Sequence, residues 1–393
     1  MANKRIAFVN QRYGEEVLGG SETYARKMAE ALAAEGTFDV DVLTSKAVDF
    51  VTWKDYYEKD TEVINGVTVR RFSVKSKRNR LVQRSSQILM HNFGLHSREL
   101  EERRLIARGP YLPGLVDYIK ENKDKYYAFV FVTYMYYPVY FGAKEVYEKA
   151  FFVPTAHDEE PIYMNIFNDL FNKVKGIVYL TEEEKKFVNE HFKNEEVASI
   201  VNGMGIDIPK EDKSEELKKE KNLPEKYIVY CGRIEESKGC KMLVDFIQKY
   251  NEEADEKIGL VLTGKGNMPI PEDTHIKYLG FVSEEEKFAA LKGAKAICLP
   301  SEFESFSITL LEGMGCKKPA LVNKKSEVLK AHMEKSQGGF AFENYDEFKE
   351  SLTKILDEKI NRELGEKAAE YVNGKYSKEA VIKEFKNFIL ENI

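Results

Sequence analysis

The sequence predicts an α/β protein with two consecutive domains, each built on a parallel sheet. The chain has 393 residues, more than the ~250–300 at which a single hydrophobic core stops growing. Short apolar runs alternate with longer amphipathic patterns along the whole sequence, which is the order that parallel strands and crossover helices produce. One charged stretch, residues 207–226, interrupts this order and divides it into two series.

In the first series, seven apolar runs predict strands. They are rich in β-branched and aromatic residues and lack clean alternation, as expected of strands buried on both faces of a sheet. The runs are 5–10, 39–44, 67–72, 129–134, 151–155, 177–180 and 198–201. Helices are predicted at 21–35 and 182–192, among others, and Thr181 with Glu184 predicts a capping box at the start of the second helix.

Six further runs follow the charged stretch 207–226, which is predicted to be the linker between the domains and to end in a solvated helix. The runs are 227–231, 258–263, 276–281, 296–300, 319–323 and 339–342. The predicted domains are therefore 1–206 and 227–377, two Rossmann-like units that face each other across a cleft. Apolar residues at helical spacing predict an amphipathic helix over the last segment, 378–393.

The composition argues against several classes of protein. The formal net charge of −6 and the isoelectric point near 5.8 disfavour a dedicated nucleic-acid binder. No apolar run approaches the ~18 residues of a membrane span, and no signal peptide is visible. The four cysteines lack C-x-x-C spacing, so we expect a cytoplasmic protein with neither a zinc site nor a disulfide framework.

Two cations follow the first strand of the second series. Arg233 comes directly after Gly232 at the strand tip, and Lys238 lies near the start of the next helix. A guanidinium fork and an ammonium group at the carboxyl end of a strand suit a diphosphate, although either residue alone would be an ordinary surface cation. Gly264 follows the next strand in a tight turn that lacks the other residues of a Walker motif.

The strongest pattern follows the strand at 296–300, where Glu304 precedes an apolar helix and Glu312 lies within it. A helix that begins near residue 305 or 306 directs its free N–H groups toward a phosphate. Glu304 can then accept hydrogen bonds from sugar hydroxyls, and Glu312 from a ribose diol. A buried carboxylate in such an apolar stretch would be costly without a partner.

The first domain offers fewer polar groups at its strand ends. Gly19 and Gly20 form a strand-to-helix turn whose backbone can approach an anion, or a plain tight turn. His157 and Asp158 follow the strand at 151–155, where the imidazole can contact a sugar or fill a structural role. These residues alone leave both alternatives open.

In their order and spacing, these motifs resemble the family 4 glycosyltransferases, which are retaining enzymes of the GT-B fold. The resemblance covers nearly the whole chain and includes Asn202-Gly203 and the turn at 279–282. It implies that the C-terminal domain binds a nucleotide-sugar and that the last helix crosses back to the first domain.

The resemblance also implies a role for each motif residue. Arg233 and Lys238 would hold the diphosphate, Glu304 would contact the transferred sugar, and Glu312 the ribose. The backbone N–H groups of Phe306, Ser307 and Ile308 would bind the phosphates, which the turn at Gly19 and Gly20 would also approach. Phe281 and Val282 would flank the base, and His157 would contact the sugar. Gly232 and Gly264 would form turns near the donor.

Two segments depart from the family pattern. Ser305-Phe306-Ser307 stands where many members have Gly-Phe-Gly, and we expect the phosphate contact to survive because serine is small. Residues 324–329 lack the Pro-Glu often found there, so Glu327 is left out of the predicted site.

The resemblance implies retaining transfer of a hexosyl sugar from a nucleotide diphosphate to a hydroxyl of a glycan or lipid-linked acceptor, in cell-surface polysaccharide synthesis. A UDP-sugar is favoured over GDP-mannose, and this co-substrate leaves no need for a cofactor. We expect no metal, because Arg233, Lys238 and a helix N-terminus supply positive charge and the only Asp-x-Asp, Asp39-Val40-Asp41, lies in a predicted strand.

Residues 70–108 form a basic segment with eleven Lys or Arg against three Glu. Interleaved apolar residues such as Leu81, Ile88 and Phe93 give the segment an apolar side. It predicts either a solvated, partly disordered loop or a segment that binds an anionic membrane surface or a lipid-diphosphate acceptor. The membrane contact would be peripheral, at the inner face of the cell membrane.

Three other functions fit parts of the pattern. A UDP-N-acetylglucosamine 2-epimerase shares the GT-B nucleotide site but needs further acid and base residues, for which no constellation is visible. A dinucleotide oxidoreductase needs G-x-G-x-x-G after the first strand, which Gly19-Gly20 does not provide. A non-catalytic binding relative is disfavoured by the charged residues Arg233, Lys238, Glu304 and Glu312.

Overall fold

The computed structural model describes residues 4–17 and 19–393, which form two compact units. Unit 1 comprises the described residues up to Met204 together with Val381–Ile393, and unit 2 comprises Gly205–Ala380. The stretch 207–226, predicted to be the linker between the domains, therefore lies within unit 2. It contains the helix Ser214–Lys221, in which Ser214 and Leu217 are buried and the other residues are exposed or half-buried.

Unit 1 contains an eight-stranded sheet. The strands are β1 (Lys4–Val9), β2 (Phe38–Ser45), β3 (Thr61–Ile64), β4 (Val67–Phe72), β5 (Ala128–Val132), β6 (Ala150–Val153), β7 (Gly176–Tyr179) and β8 (Ser199–Val201). Their spatial order is β3-β4-β2-β1-β5-β6-β7-β8, and only β3 and β4 pair antiparallel. β5 and β6 are buried at every residue, as expected of strands covered on both faces. The sequence did not predict β3, because this short edge strand is partly exposed and forms no apolar run.

Seven helices connect the strands of unit 1. They are α1 (Gly20–Glu35), α2 (Arg80–Phe93), α3 (Arg98–Arg108), α4 (Pro113–Asn122), α5 (Tyr137–Ala143), α6 (Phe167–Lys173) and α7 (Glu182–Phe192). The strand order reverses between β1 and β5, since β2 and β4 lie on one side of this pair and β6 to β8 on the other. Open parallel sheets bind ligands outside the carboxyl ends at such a point, so the residues after β1 and β5 line the expected crevice of unit 1.

Unit 2 contains a six-stranded parallel sheet. The strands are β9 (Tyr227–Cys231), β10 (Gly259–Thr263), β11 (Ile276–Gly280), β12 (Ala296–Leu299), β13 (Ala320–Asn323) and β14 (Gly339–Phe342). The helices are α8 (Ser214–Lys221), α9 (Cys240–Glu253), α10 (Glu284–Gly293), α11 (Ile308–Gly315), α12 (Glu327–Ser336), α13 (Tyr345–Leu356) and α14 (Glu358–Lys375). The order β11-β10-β9-β12-β13-β14 reverses between β9 and β12, which sets the crevice of this unit.

The last helix, α15 (Lys378–Asn392), belongs to unit 1 from Val381 onward. Phe385 stacks on Phe8 of β1 with ring centroids 6.3 Å apart, and Phe388 meets Phe151 of β6 edge-on at 5.5 Å. Such aromatic contacts add to the stabilisation from buried apolar area, so α15 is part of the core of unit 1. Among the described helices, none is both long enough and apolar enough to cross a membrane.

We expect Phe385→Ala to destabilise unit 1 by about 3–5 kcal/mol, because it leaves a cavity in a fully buried aromatic stack. Urea denaturation followed by the fluorescence of Trp53, the only tryptophan, measures this loss because Trp53 lies in unit 1. Lys383→Ala on the exposed side of the same helix is the matched control and should leave the transition in place. An unchanged midpoint in Phe385→Ala would contradict the core role of α15.

Candidate functional site

The predicted site residues of unit 2 gather at the reversal point of its sheet. Gly232 and Arg233 directly follow β9, and residues 300–308 lead from β12 to the first residue of α11. β9 and β12 are neighbours in the sheet, so their carboxyl ends bring the two segments side by side. Ligands of open parallel sheets bind at this edge.

Two loops of this edge touch at a glycine. Gly264, after β10, has a φ of +130°, and a Cβ there would lie 1.8 Å from the carbonyl oxygen of Gly232. The turn after β11 leaves Phe281 half exposed beside a half-buried Val282, and the Nζ atom of Lys265 lies 5.0 Å from the Phe281 ring centroid. The edge thus includes a half-exposed aromatic ring with a lysine over it.

Lys238 and Glu304 form a hydrogen-bonded ion pair at the same edge. Their Nζ and Oε1 atoms are 2.8 Å apart, and Lys238 also donates to the carbonyl oxygen of Phe303 at 3.2 Å. The two side chains are 22% and 17% exposed, so they are held in place yet remain open to a ligand. Arg233 is half exposed and pairs with Glu235 at 3.2 Å. Arg233 and Lys238 therefore each have one carboxylate partner at this edge.

Helix α11 begins at Ile308, later than the residue 305 or 306 that the sequence predicts. Ser307 causes the delay, because it adopts a left-handed conformation with φ +64°. Its hydroxyl is buried and has no hydrogen-bond partner within the described chain. A left-handed residue with a Cβ is strained, and the free N–H groups of a helix start attract anions. The start of α11 therefore combines a strained residue with a buried, unpaired hydroxyl.

A buried histidine holds the peptide before Ser307. The Nε2 atom of His332 is 3.2 Å from the carbonyl oxygen of Phe306, and its Nδ1 atom is 3.0 Å from the hydroxyl of Tyr371. A carbonyl oxygen only accepts, so Nε2 carries the proton in this hydrogen bond. The sequence does not indicate His332 or Tyr371 as site residues, because they come from α12 and α14 and no local motif surrounds them.

Glu312 of α11 is 1% exposed and forms an ion pair with Lys287 of α10, with 2.7 Å between Oε2 and Nζ. Lys287 also contacts Glu284 at 2.9 Å. Burial opposes the charge of Lys287, but the carboxylates of Glu312 and Glu284 outweigh it and raise the pKa of the ammonium group. The sequence indicates Glu312 and misses Lys287, since the two lie on different helices and only the tertiary structure brings them together.

In unit 1, a buried ion pair organises the residues after β1. The guanidinium of Arg12 donates from Nε to Oε1 of Glu22, in the first turn of α1, at 3.0 Å. Gly19 precedes the helix with a φ of +155°, and a Cβ there would lie 2.1 Å from the Glu22 carboxylate. Gly20 is exposed. The turn that the sequence assigns to a phosphate contact therefore also makes room for a buried carboxylate.

His157 lies after β6, at the same edge of the unit 1 sheet. Its Nε2 atom is 3.7 Å from Oε1 of Glu159. Thr133 and Thr155, just past the ends of β5 and β6, have φ values of +71° and +52°, and their hydroxyls are 3.0 Å apart. Left-handed β-branched residues are rare and strained, so the backbone is strained at this edge as well.

Glu184 braces the loop that carries His157. Thr181 caps α7 by accepting the N–H of Glu184 at 3.1 Å, as the sequence predicts. In a complete capping box, the Glu184 carboxylate would accept the backbone N–H of Thr181. Here it accepts the N–H groups of Leu180 at 2.7 Å and Ala156 at 2.6 Å instead. The predicted capping box is therefore half formed, because the carboxylate holds the residue before His157 instead. Burial raises the pKa of Glu184 to about 8.

Metal-binding groups of three or more His, Cys, Asp or Glu side chains do not occur among the described residues. Asp41, from the Asp-x-Asp sequence, accepts hydrogen bonds from Arg70 at 2.9 Å and from the hydroxyl of Tyr126 at 2.7 Å. These contacts are typical of a structural carboxylate. All four cysteines are free thiols.

The C-terminal part of the chain matches a known family. Residues 210–373 match the family model described as "Glycosyl transferases group 1", so unit 2 carries a group 1 glycosyltransferase domain. An uncharacterized glycosyltransferase of Methanocaldococcus jannaschii is 28% identical over 42% of this chain and 44% of its own length. A probable sucrose-phosphate synthase of Thermosipho melanesiensis is 25% identical over 54% of this chain and 53% of its own. The chain matches about half the length of these curated relatives.

Solved structures share the fold over nearly the full chain. Sucrose-phosphate synthase from Thermosynechococcus elongatus has a TM-score of 0.72 at 16% identity, covering 99% of both chains. HepE from Anabaena, in complex with UDP and glucose, has a TM-score of 0.71 at 12% identity, covering 99% of this chain and 100% of its own. These similarities confirm the predicted GT-B fold of two parallel-sheet domains.

We expect Lys287→Met to destabilise the protein by about 3–5 kcal/mol, because it leaves the Glu312 carboxylate buried without its cation. Replacing both partners, with Lys287→Met and Glu312→Leu, should recover most of the loss because the buried charge is gone. Urea denaturation measures both variants. Lys241→Met, which breaks an exposed pair with Asp245, is the control and should cost under about 1 kcal/mol. A double variant as unstable as the single one would argue against the ion pair as the cause.

Proposed function

We propose that this protein is a retaining family 4 glycosyltransferase that moves a hexosyl sugar from a UDP-sugar to a hydroxyl of a glycan or lipid-linked acceptor, in cell-surface polysaccharide synthesis. The observation that carries the proposal is the convergence of Arg233, Lys238 and the start of α11 on one edge of unit 2. Three sources of positive potential at one edge suit a diphosphate. The family match of residues 210–373 supports this assignment.

The other groups at this edge suit the remaining parts of a nucleotide-sugar. Glu304 accepts hydrogen bonds from hydroxyls of the transferred sugar, while Lys238, its ion-pair partner, holds a phosphate oxygen at the same time. Glu312 accepts the ribose diol, and Lys287 keeps that carboxylate charged and oriented. The exposed face of Phe281 stacks on the base. The contacts predicted for Gly19, Gly20 and His157 of unit 1 stay predictions.

The proposed reaction breaks the bond between the anomeric carbon and the diphosphate. The leaving UDP gains negative charge, which Arg233, Lys238 and the N–H groups of Ser307 and Ile308 stabilise in place of a divalent ion. The acceptor hydroxyl forms its bond on the same face of the sugar, and its proton passes to an oxygen of the leaving diphosphate. His332 supports this step by fixing the peptide that presents the N–H groups.

UDP is the nucleotide that we favour, with GDP as the second choice. The structure of Anabaena HepE, which shares the fold, holds UDP and glucose. That likeness concerns the fold alone, so the choice of donor rests on a direct binding measurement.

A thermal-shift assay with UDP and GDP, with and without EDTA, tests the donor site. A nucleotide at 100 times its dissociation constant should stabilise the protein by ~2.7 kcal/mol, and EDTA should not change this. Arg233→Gln should weaken binding at least tenfold because it removes a half-exposed diphosphate ligand. Lys241→Gln, an exposed cation on α9, is the matched control.

Stabilisation by UDP that depends on Arg233 supports the proposal. Stabilisation by GDP and not by UDP would keep the site and change the proposed donor to a GDP-sugar. Stabilisation by neither nucleotide, or only in the presence of a divalent ion, would contradict the site as described.

We also propose that helix α2 makes a peripheral contact with an anionic membrane. The helix packs on unit 1 mainly through Ser86 and Met90, whereas Leu81 is 82% exposed, Phe93 68% and Ile88 43%. The exposed cations Arg80 and Arg84 on the same helix have no carboxylate partner in the described chain. Exposed apolar side chains flanked by arginines suit the interface of a membrane that carries negative lipids.

The double variant Leu81→Ser, Phe93→Ser should reduce co-sedimentation with vesicles containing phosphatidylglycerol at least fivefold, because it removes the most exposed apolar area of α2. Vesicles of phosphatidylcholine alone should bind poorly. Val63→Ser on the edge strand β3 also removes an exposed apolar side chain (71%) and should have no effect. If the wild-type protein stays in the supernatant with both vesicle types, the membrane contact is wrong.

A further inference from the structure

The basic segment 70–108 divides into paired and unpaired cations. Four of its eleven Lys and Arg residues form ion pairs with carboxylates, namely Arg70, Arg71, Arg98 and Arg104. The other seven have no such partner within the part of the chain that the structure describes. Five of these are exposed to solvent, but Arg78 and Arg108 are half-buried. Removing two guanidinium groups partly from water without a carboxylate partner costs free energy, and this cost requires an explanation.

Arg78 lies beside the end of α3. Its Nε and Nη2 atoms are 3.4 and 3.3 Å from Oε1 of Gln83, and Gln83 in turn donates to the carbonyl oxygen of Ala107 at 2.8 Å. Arg78 and Arg108 are therefore neighbours, although they come from opposite ends of the α2–α3 hairpin. Burial and the guanidinium of Arg108 lower the pKa of Arg78, as expected of two like charges without an acid between them.

The partners of Arg108 are also neutral. Its Nη2 atom is 2.8 Å from the sulfur of Met135, and its guanidinium carbon lies 5.5 Å from the ring centroid of Tyr136. Nearby carboxylates are engaged elsewhere, Glu160 with Arg104 and Glu159 with the hydroxyl of Tyr134. Neither arginine therefore has a local anion that offsets its charge.

The pair lies at the crevice of unit 1. Met135 and Tyr136, which Arg108 contacts, follow β5, one of the two strands between which the sheet order reverses. Trp53 joins the same cluster, since its indole N–H donates to the carbonyl oxygen of Arg108 at 2.8 Å and its ring meets Tyr136 edge-on. The unpaired charges thus lie where a parallel sheet binds its ligand, rather than on an outer face.

We propose that Arg78 and Arg108 form a subsite for a phosphate ester carried by the acceptor. Two guanidinium groups offer planar pairs of N–H donors that match phosphate oxygens. A bound phosphate also removes the repulsion between them. The inference rests on the proposed function, because it assigns the crevice of unit 1 to the acceptor. The ester belongs either to a soluble sugar phosphate or to a lipid phosphate, and both present the same chemistry to the arginines.

Calorimetric titrations at constant ionic strength test the subsite with two soluble probes, glucose 6-phosphate and a short-chain phosphatidic acid below its critical micelle concentration. At least one probe should bind saturably, while glucose and short-chain phosphatidylcholine should not. Arg78→Gln and Arg108→Gln should each weaken that binding at least tenfold. Trp53 fluorescence gives a second readout, because the only tryptophan is hydrogen-bonded to the backbone of Arg108.

Arg103→Gln removes an exposed cation from the same helix as Arg108 and should bind both probes like the wild type. Arg78→Gln keeps the test valid if Arg108→Gln fails to fold, since Arg78 lies in the loop before α2. Equal binding by wild type and Arg78→Gln, or no binding of either probe by the wild type, overturns the subsite. UDP stabilisation in the same variants separates the two proposals: if UDP stabilises all of them and no phosphate ester binds, only the subsite is wrong.

Discussion

The reversal of strand order is the constraint on which the sites of both units depend. In a parallel sheet each crossover helix covers one face, and a change in the winding direction sends consecutive helices to opposite faces. A crevice then opens at the carboxyl ends of the two strands concerned. In unit 2 these are β9 and β12, and Arg233, Lys238 and the start of α11 follow them. In unit 1 they are β1 and β5, and Arg12 and Tyr136 follow them.

The two crevices handle charge differently. Unit 2 pairs Arg233 and Lys238 with carboxylates and contains a further, buried pair, Lys287 with Glu312. Groups fixed in this way need little reorganisation when negative charge develops on a leaving group. Unit 1 buries one pair, Arg12 with Glu22, but leaves Arg78 without a carboxylate. Strained backbone lies at the same edges, at Ser307 in unit 2 and at Thr133 and Thr155 in unit 1. Packing around the crevices therefore outweighs the preference of these residues for a negative φ.

Most of the fold could be predicted from the sequence because buried parallel strands appear in it as continuous apolar runs. All thirteen predicted strands are present within two residues of their predicted ends. The strand that the sequence does not predict is β3, because its edge position leaves it partly exposed and without an apolar run. The sequence predicts the start of α11 two or three residues too early, at 305 or 306 and not at Ile308, because nothing in the local sequence shows that Ser307 adopts a left-handed conformation. The charges of 207–226 predict a linker and a solvated helix, and they give no sign that Leu217 of α8 is buried.

The strands, the order of the motifs and the residue types at the strand ends follow from the amino-acid sequence, since periodicity and local turn chemistry are properties of neighbouring residues. Which charges meet depends on tertiary packing. Lys287 reaches Glu312 across two helices, and His332 reaches the carbonyl oxygen of Phe306 from a third. Such contacts join segments far apart in the chain, and their strength comes from shared burial, which exists only once the sheet and its helices have packed.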